Sequence, residues 1–144
     1  MRTSKSRKIE LIKQVPLFGL CSDKELGDIA ALADEVSVKA GTTLVKEGNP
    51  GDECFVVISG TGRATLRDQV LGDLGPGEVI GEMALLDVSP RSATVTATTD
   101  MELFCLDPRS FTELLDRHPS VSRRMLASMA RRLRDAEDAP KYQH

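Results

Sequence analysis

Aromatic side chains are scarce: no tryptophan, one tyrosine (Tyr142) and four phenylalanines (Phe18, Phe55, Phe104, Phe111) in 144 residues. No row of rings is available on which unpaired bases stack, which excludes a single-strand nucleic-acid platform. Histidine is rarer than charge of either sign, with His118 and His144 alone. Zinc and iron sites draw several His or Cys ligands to one point, and neither histidine lies in the strand-rich middle of the chain, so no metal or metal cofactor is expected. The three cysteines, Cys21, Cys54 and Cys105, form no Cys-x-x-Cys pair, and an odd, scattered count is no disulfide framework. Cys54 and Cys105 border apolar runs, where a buried, inert thiol is the expectation. No Ser-His or Cys-His pairing is visible, so no catalytic residue is assigned and the chain reads as a non-enzyme. Long apolar runs are missing as well. They reach five residues, against roughly 20 for a bilayer span. The basic stretch Met1–Lys8 has no apolar segment behind it and is not a secretory signal, so a reduced, cytoplasmic setting is expected. Nineteen basic against twenty-two acidic residues, a net charge of −3, exclude a globally basic nucleic-acid binder.

What is present fits one domain over residues 1–144, in three zones. From about 9 to 36 the apolar spacing is helical, interrupted by Pro16, and Ser22 with Glu25 forms a capping box that opens a helix near Asp23. From about 37 to 107, β-branched and apolar runs alternate with glycine- and proline-rich turns. The predicted strands are Thr42–Val45, Cys54–Ile58, Ala64–Leu66, Val70–Leu74, Thr94–Thr98 and Glu102–Leu106. Short strands at close spacing point to a sandwich or a jelly roll. From about 108 to 138 helical spacing returns: Pro108 suits a first turn, and a last helix carries Val121, Met125, Leu126, Met129 and Leu133 on one stripe. Residues 139–144 read as frayed. The expected fold is α+β, a β-roll (jelly-roll barrel) flanked by N-terminal helices and C-terminal lid helices.

The chemistry gathers in residues 81–95. Gly81 permits a sharp turn or a close approach to a ligand. Glu82-Met83-Ala84-Leu85-Leu86 reads as a short helix whose free N–H groups suit an anion. Arg91, after Pro90, offers a fork that matches a phosphate, and Ser92 adds a hydroxyl. Glu82 can accept hydrogen bonds from a sugar hydroxyl. Together these describe a pocket for a ribose phosphate. Taken alone, Glu82 and Arg91 read as a surface ion pair of about 0–1 kcal/mol, and the arginines of the last helix as a solvated face.

At these residues the sequence resembles the cyclic nucleotide-binding domain family of catabolite activators and protein kinase A regulatory subunits. Gly81, Glu82, Ala84, Leu85 and Pro90 through Val95 follow that family's phosphate-binding cassette. Val15-Pro16-Leu17-Phe18 resembles its N-terminal helical motif, and Gly48-Asn49-Pro50-Gly51-Asp52 with Phe55–Gly60 its first roll strands. Met129-Ala130-Arg131-Arg132-Leu133 is similar to the last helix of the catabolite activator branch. The resemblance runs from about residue 9 to 138. It implies that Arg91 pairs with the cyclic phosphate, assisted by Ser92 and the Ala93 backbone. Glu82 and the Gly81 backbone hold the ribose, flanked by Met83 and Ala84. Leu71, Leu74 and Ala64 wall the purine and sugar, and Arg132 reaches down from the lid. Ala136 and Glu137 stand where catabolite activators carry hydroxyls.

In the family it resembles, members preferring cyclic GMP often carry threonine directly after the cassette arginine, so the resemblance with Ser92 there implies cyclic AMP rather than cyclic GMP. The function implied is a non-catalytic sensor read by an effector protein not identified by the sequence, with cyclic AMP as ligand and no cofactor. The alternative is the sensing part of a transcription regulator whose DNA-reading head lies outside this chain, which by itself is not expected to bind DNA. The stripe from Val121 to Leu133 either packs on the roll or pairs two copies into a homodimer.

Overall fold

The computed structural model describes residues 3–87 and 89–138; the frayed reading of residues 139–144 lies outside them. Helix α1 spans Lys5–Lys13, capped by the Ser4 hydroxyl, and begins before the expected residue 9. Pro16 starts a 3₁₀ turn over Pro16–Phe18. Helix α2, Asp23–Leu32, opens on the expected capping box, with both reciprocal bonds between Ser22 and Glu25 formed. Helix α3, Pro108–Arg117, starts after the Asp107 cap, and α4 runs over Pro119–Asp138.

Among the described residues, ten strands lie between α2 and α3: β1 Asp34–Val38, β2 Thr43–Val45, β3 Pro50–Gly51, β4 Cys54–Ser59, β5 Gly62–Leu66, β6 Gln69–Leu74, β7 Val79–Ile80, β8 Ser89–Pro90, β9 Thr94–Ala97 and β10 Met101–Leu106. They form antiparallel sheets in the orders β1-β10-β4-β7 and β2-β9-β5-β6, with a small β3-β8 pair. The roll therefore begins inside the stretch expected to be helical: Asp34, Glu35 and Val36 are strand, because they pair with Cys105, Phe104 and Leu103 of β10. Helical spacing cannot register a pairing made 69 residues away.

Strands β4 and β10 divide their side chains between two apolar clusters. Cys54, Val56, Phe104 and Leu106 face the helices, where they meet Leu11, Phe18, Leu26, Phe111 and Val121. Phe55, Val57, Leu103 and Cys105 face into the roll against Val45, Ile80 and Val95. Both faces of these strands are covered, which is why their sequences are continuous apolar runs rather than alternating ones. The Phe18 and Phe111 rings, 5.6 Å apart at 52°, join the 3₁₀ turn to α3.

Helix α4 departs from the expected stripe. Val121 and Met125 are buried against the N-terminal turn, but Leu126, Met129 and Leu133 are 67%, 37% and 64% exposed. The face that packs continues through Ser128, which is buried. A serine at a core position breaks the hydrophobic pattern, and the stripe divides into a packed part, Val121 and Met125, and an exposed part, Leu126, Met129 and Leu133.

Candidate functional site

The backbone of Arg91 is fixed before its side chain is considered. Its N–H donates to the Asn49 carbonyl (2.8 Å), and its carbonyl accepts from the Gly48 N–H (2.9 Å). Strand β8 reaches it by pairing Pro90 with Pro50 and Ser89 with Gly51. The guanidinium then lies against Gly51 and Gly81 and donates from Nη2 to the Glu53 carbonyl at 2.6 Å. A Cβ on either glycine would fall on that guanidinium. Gly81 also has φ +75°, a left-handed conformation that other L-residues adopt at a cost. Glycine here supplies the turn and the space at once.

Arg91, Ser92, Ala93 and Gly81 form the polar end of a cleft of about 160 Å³, and Leu74 and Val79 contribute its apolar side. Ser92 is exposed at the mouth. Glu53, which borders a neighbouring cleft of about 150 Å³ that Arg91 also lines, accepts on Oε2 from the Cys105 thiol at 2.9 Å. Burial pushes the Cys105 thiol well above its ordinary range, and that hydrogen bond pushes it the same way.

Glu82 faces elsewhere. The expected short α-helix is a four-residue 3₁₀ turn, Glu82–Leu85, because the Ala84 N–H bonds back to the Gly81 carbonyl only three residues away (3.1 Å). The Glu82 carboxylate accepts from the Leu17 N–H on Oε2 (3.1 Å) and pairs with Arg132 on Oε1 (3.2 Å). It borders a second cleft, of about 490 Å³, with Gln14, Pro16 and Glu78. Gly81 and Val79 line both clefts. The structure thus brings Glu82 and Arg91 to opposite sides of Gly81 rather than to each other, and the plain surface pair between them does not form.

The remaining expected site residues divide. Leu74 lines the Arg91 cleft, and Ala64 is half-buried on β5 against the roll's inner cluster. Leu71 is 59% exposed on the edge strand β6 and lines neither cleft. It pairs with no further strand, since β6 ends the sheet. Ala84 is buried beneath the cassette; the Met83 assignment falls outside the described side chains. Arg132 does reach the cassette from α4, but through Glu82. Asn49, Gly51, Glu53, Leu17 and Ser128 were not singled out as site residues. Only the turn Gly48–Asp52 carried a signal, its glycine and proline content. The backbone contacts of Leu17 and Glu53 leave none. Among the described residues no cluster of three metal-ligating side chains occurs, and no helix is long and apolar enough to cross a membrane.

Residues 35–118 match the family model of the cyclic nucleotide-binding domain. A cyclic AMP receptor protein of Thermus thermophilus is 33% identical over 131 residues, 88% of this chain and 61% of its own length. A cyclic nucleotide-gated potassium channel of Mesorhizobium japonicum is 35% identical over 116 residues, 81% of this chain and 32% of its own length. The chain thus spans less than two-thirds of these relatives. Among solved structures, the N-terminal domain of a transcriptional regulator from Streptomyces coelicolor superposes with a TM-score of 0.85 at 34% identity. That match covers 93% of this chain and 96% of the other. The regulatory domain of Toxoplasma gondii PKA with cAMP gives a TM-score of 0.70 at 30% identity, covering 79% of this chain and 46% of the other.

Proposed function

The chain belongs to the cyclic nucleotide-binding domain family, and we propose that it is a non-catalytic sensor of cyclic AMP. The observation that carries this is Arg91, fixed by two backbone hydrogen bonds and laid between two glycines at the polar end of a cleft. A guanidinium so placed offers two parallel N–H donors to an anion and gives up one carbonyl contact in exchange. The cyclic phosphate sits on Arg91, with Ser92 and the Ala93 N–H beside it. The ribose lies across Gly81, within reach of Glu82, and the base takes the apolar side of the cleft near Leu74. Ser92 beside the arginine favours cyclic AMP, with cyclic GMP as the competitor. The ligand shifts α4 only to the extent that it prefers one placement of that helix.

Arg91→Ala leaves a phosphate charge without its partner, for a loss on the order of 3–5 kcal/mol, or roughly a hundredfold to a few thousandfold in affinity. Calorimetric titration with cyclic AMP and cyclic GMP in parallel reads both the affinity and the preference. Equal affinity of the wild type and Arg91→Ala removes the reading.

The match to the N-terminal domain of a transcriptional regulator supports a second reading, the sensing part of such a regulator. On that reading this chain alone shows no salt-dependent DNA binding. The partner that α4 fits best is a second copy of the chain. Leu126, Met129, Leu133 and Ala136 follow each other by three, four and three residues, the a/d repeat of a coiled-coil seam, and the first three are exposed. Sedimentation equilibrium is expected to give a dimer that Leu133→Glu converts to monomer. A monomeric wild type rejects this pairing.

A further inference from the structure

Ser128 and Glu25 are the buried polar side chains among the described residues. The Glu25 contacts are accounted for by the α2 cap and by Arg124. Ser128 sits on the packed face of α4 and donates its hydroxyl to the Pro16 carbonyl at 2.6 Å. A buried hydroxyl gains nothing over a methyl group unless it is bonded, so the bond is the reason to ask what this residue does. Pro16 is followed by Leu17, whose N–H donates to Glu82, and Glu82 is bound in turn by Arg132. Arg132 is four residues beyond Ser128, one helical turn along the same face. Three polar contacts therefore close a ring: α4 to the 3₁₀ turn, the 3₁₀ turn to the cassette, and the cassette back to α4.

We propose that Ser128 is a positioning residue for the nucleotide site: it seats Arg132 on Glu82, and the ring it closes competes with the ribose hydroxyl for that carboxylate. The inference rests on the reading of Glu82 as the ribose contact. Both Glu82 oxygens are engaged, one by Leu17 and one by Arg132, so a ribose donor has to share or displace one of them. Displacement strains the other two contacts, and the N-terminal turn and α4 respond together. Ser128 touches none of the clefts, yet it sets how firmly Arg132 holds its partner.

Ser128→Ala removes the ring's anchor without unpairing the Pro16 carbonyl, which also accepts from the Gly19 N–H at 3.3 Å, so the variant is expected to fold. Titration of cyclic AMP is expected to give tighter binding than wild type by about three- to fivefold, the scale of one net hydrogen bond. Arg132→Gln is expected to tighten binding in the same direction, and the double variant to gain nothing beyond Arg132→Gln. Unchanged or weaker binding in Ser128→Ala overturns the proposal. So does a gain that persists in full in the Arg132→Gln background, because a merely structural serine acts whether or not Arg132 is present. If no form binds cyclic AMP, the sensor reading fails, and the ring is judged on hydrogen exchange of the Leu17 amide. Arg132→Gln, which does not touch Leu17, is expected to speed that exchange through Glu82; an unchanged rate overturns the ring itself.

Discussion

At the scale of single residues, burial and capping set the titration behaviour. Desolvation raises the Cys21 thiol to about 11 and the Cys54 thiol to about 12, from an ordinary 9.0. In the other direction, hydrogen bonds hold two carboxyls low. Glu25 is lowered first by the Ser120 hydroxyl and then by the Ser22 N–H, Asp107 by the Ser110 N–H at the start of α3. These shifts carry a pH profile with a definite sign. The two carboxylates stabilise the fold fully above their unfolded values of 4.5 and 3.8, and that contribution is lost as pH falls through their lower folded values. The thiols stabilise it fully below 9.0, and that contribution is lost as pH rises towards 11 to 12. Thermal melts are expected to plateau between about pH 5 and pH 9 and to fall on both sides. Replacing Cys21 and Cys54 by serine flattens the alkaline limb if the assignment holds; a limb that is unaltered contradicts it.

At the scale of elements, the β5-β6 hairpin stores strain that has no bearing on the cleft. Leu66 pairs with Gln69, and the two residues between them, Arg67 and Asp68, have φ of 51° and 68°. Two positive φ values in a two-residue loop make a type I′ turn, which glycine fills best at its second position. The Glu47 carboxylate holds this turn by accepting from the Arg67 N–H. Asp68→Gly is expected to raise stability by about 0.5 kcal/mol, near 2 °C in Tm, with cyclic AMP affinity unchanged. A drop in Tm shows that the Asp68 side chain contributes more than the strain costs. The same hairpin marks where sequence stops being a guide. The strands β2, β4, β5, β6, β9 and β10 are legible from local runs, as are the cap at Ser22, the break at Pro16 and the cassette around Arg91. The two-residue strands β3, β7 and β8 are not, because they exist only through pairing with distant partners. Leu71 reads as a wall residue and Ser128 carries no signal for the same reason: which side of an edge strand or a docked helix faces inward is decided by what covers it. Of the Glu82 partners, Arg132 was legible from the resemblance, whereas Leu17 was out of reach, since it contributes a backbone N–H that any residue but proline would supply.

At the scale of the whole molecule, the net charge of −3 conceals a division. Residues 34–107 carry thirteen carboxylates against five basic side chains, a net of −8, while the helical ends carry the balancing positive charge. The proposed ligand is an anion, and it has to enter the acidic part. Arg91 answers the phosphate at contact, where a bidentate pair inside a cleft is poorly screened. On the way in, the roll's long-range field is repulsive and fully exposed to salt. Affinity and rate should therefore respond to ionic strength in different ways. Raising salt from about 10 mM to about 150 mM shortens the screening length from about 30 Å to about 8 Å. The association rate of cyclic AMP, followed by stopped-flow fluorescence of a labelled analogue, is expected to rise several-fold over that range, and the dissociation rate to change little. Arginine and lysine at the helical ends act in the opposite sense, so a double substitution of Asp52 and Asp87 to asparagine should raise the low-salt rate and flatten its salt dependence. An association rate that falls with salt means that the approaching phosphate senses the basic helices before the acidic roll, and places the entry route along α4 rather than across the roll.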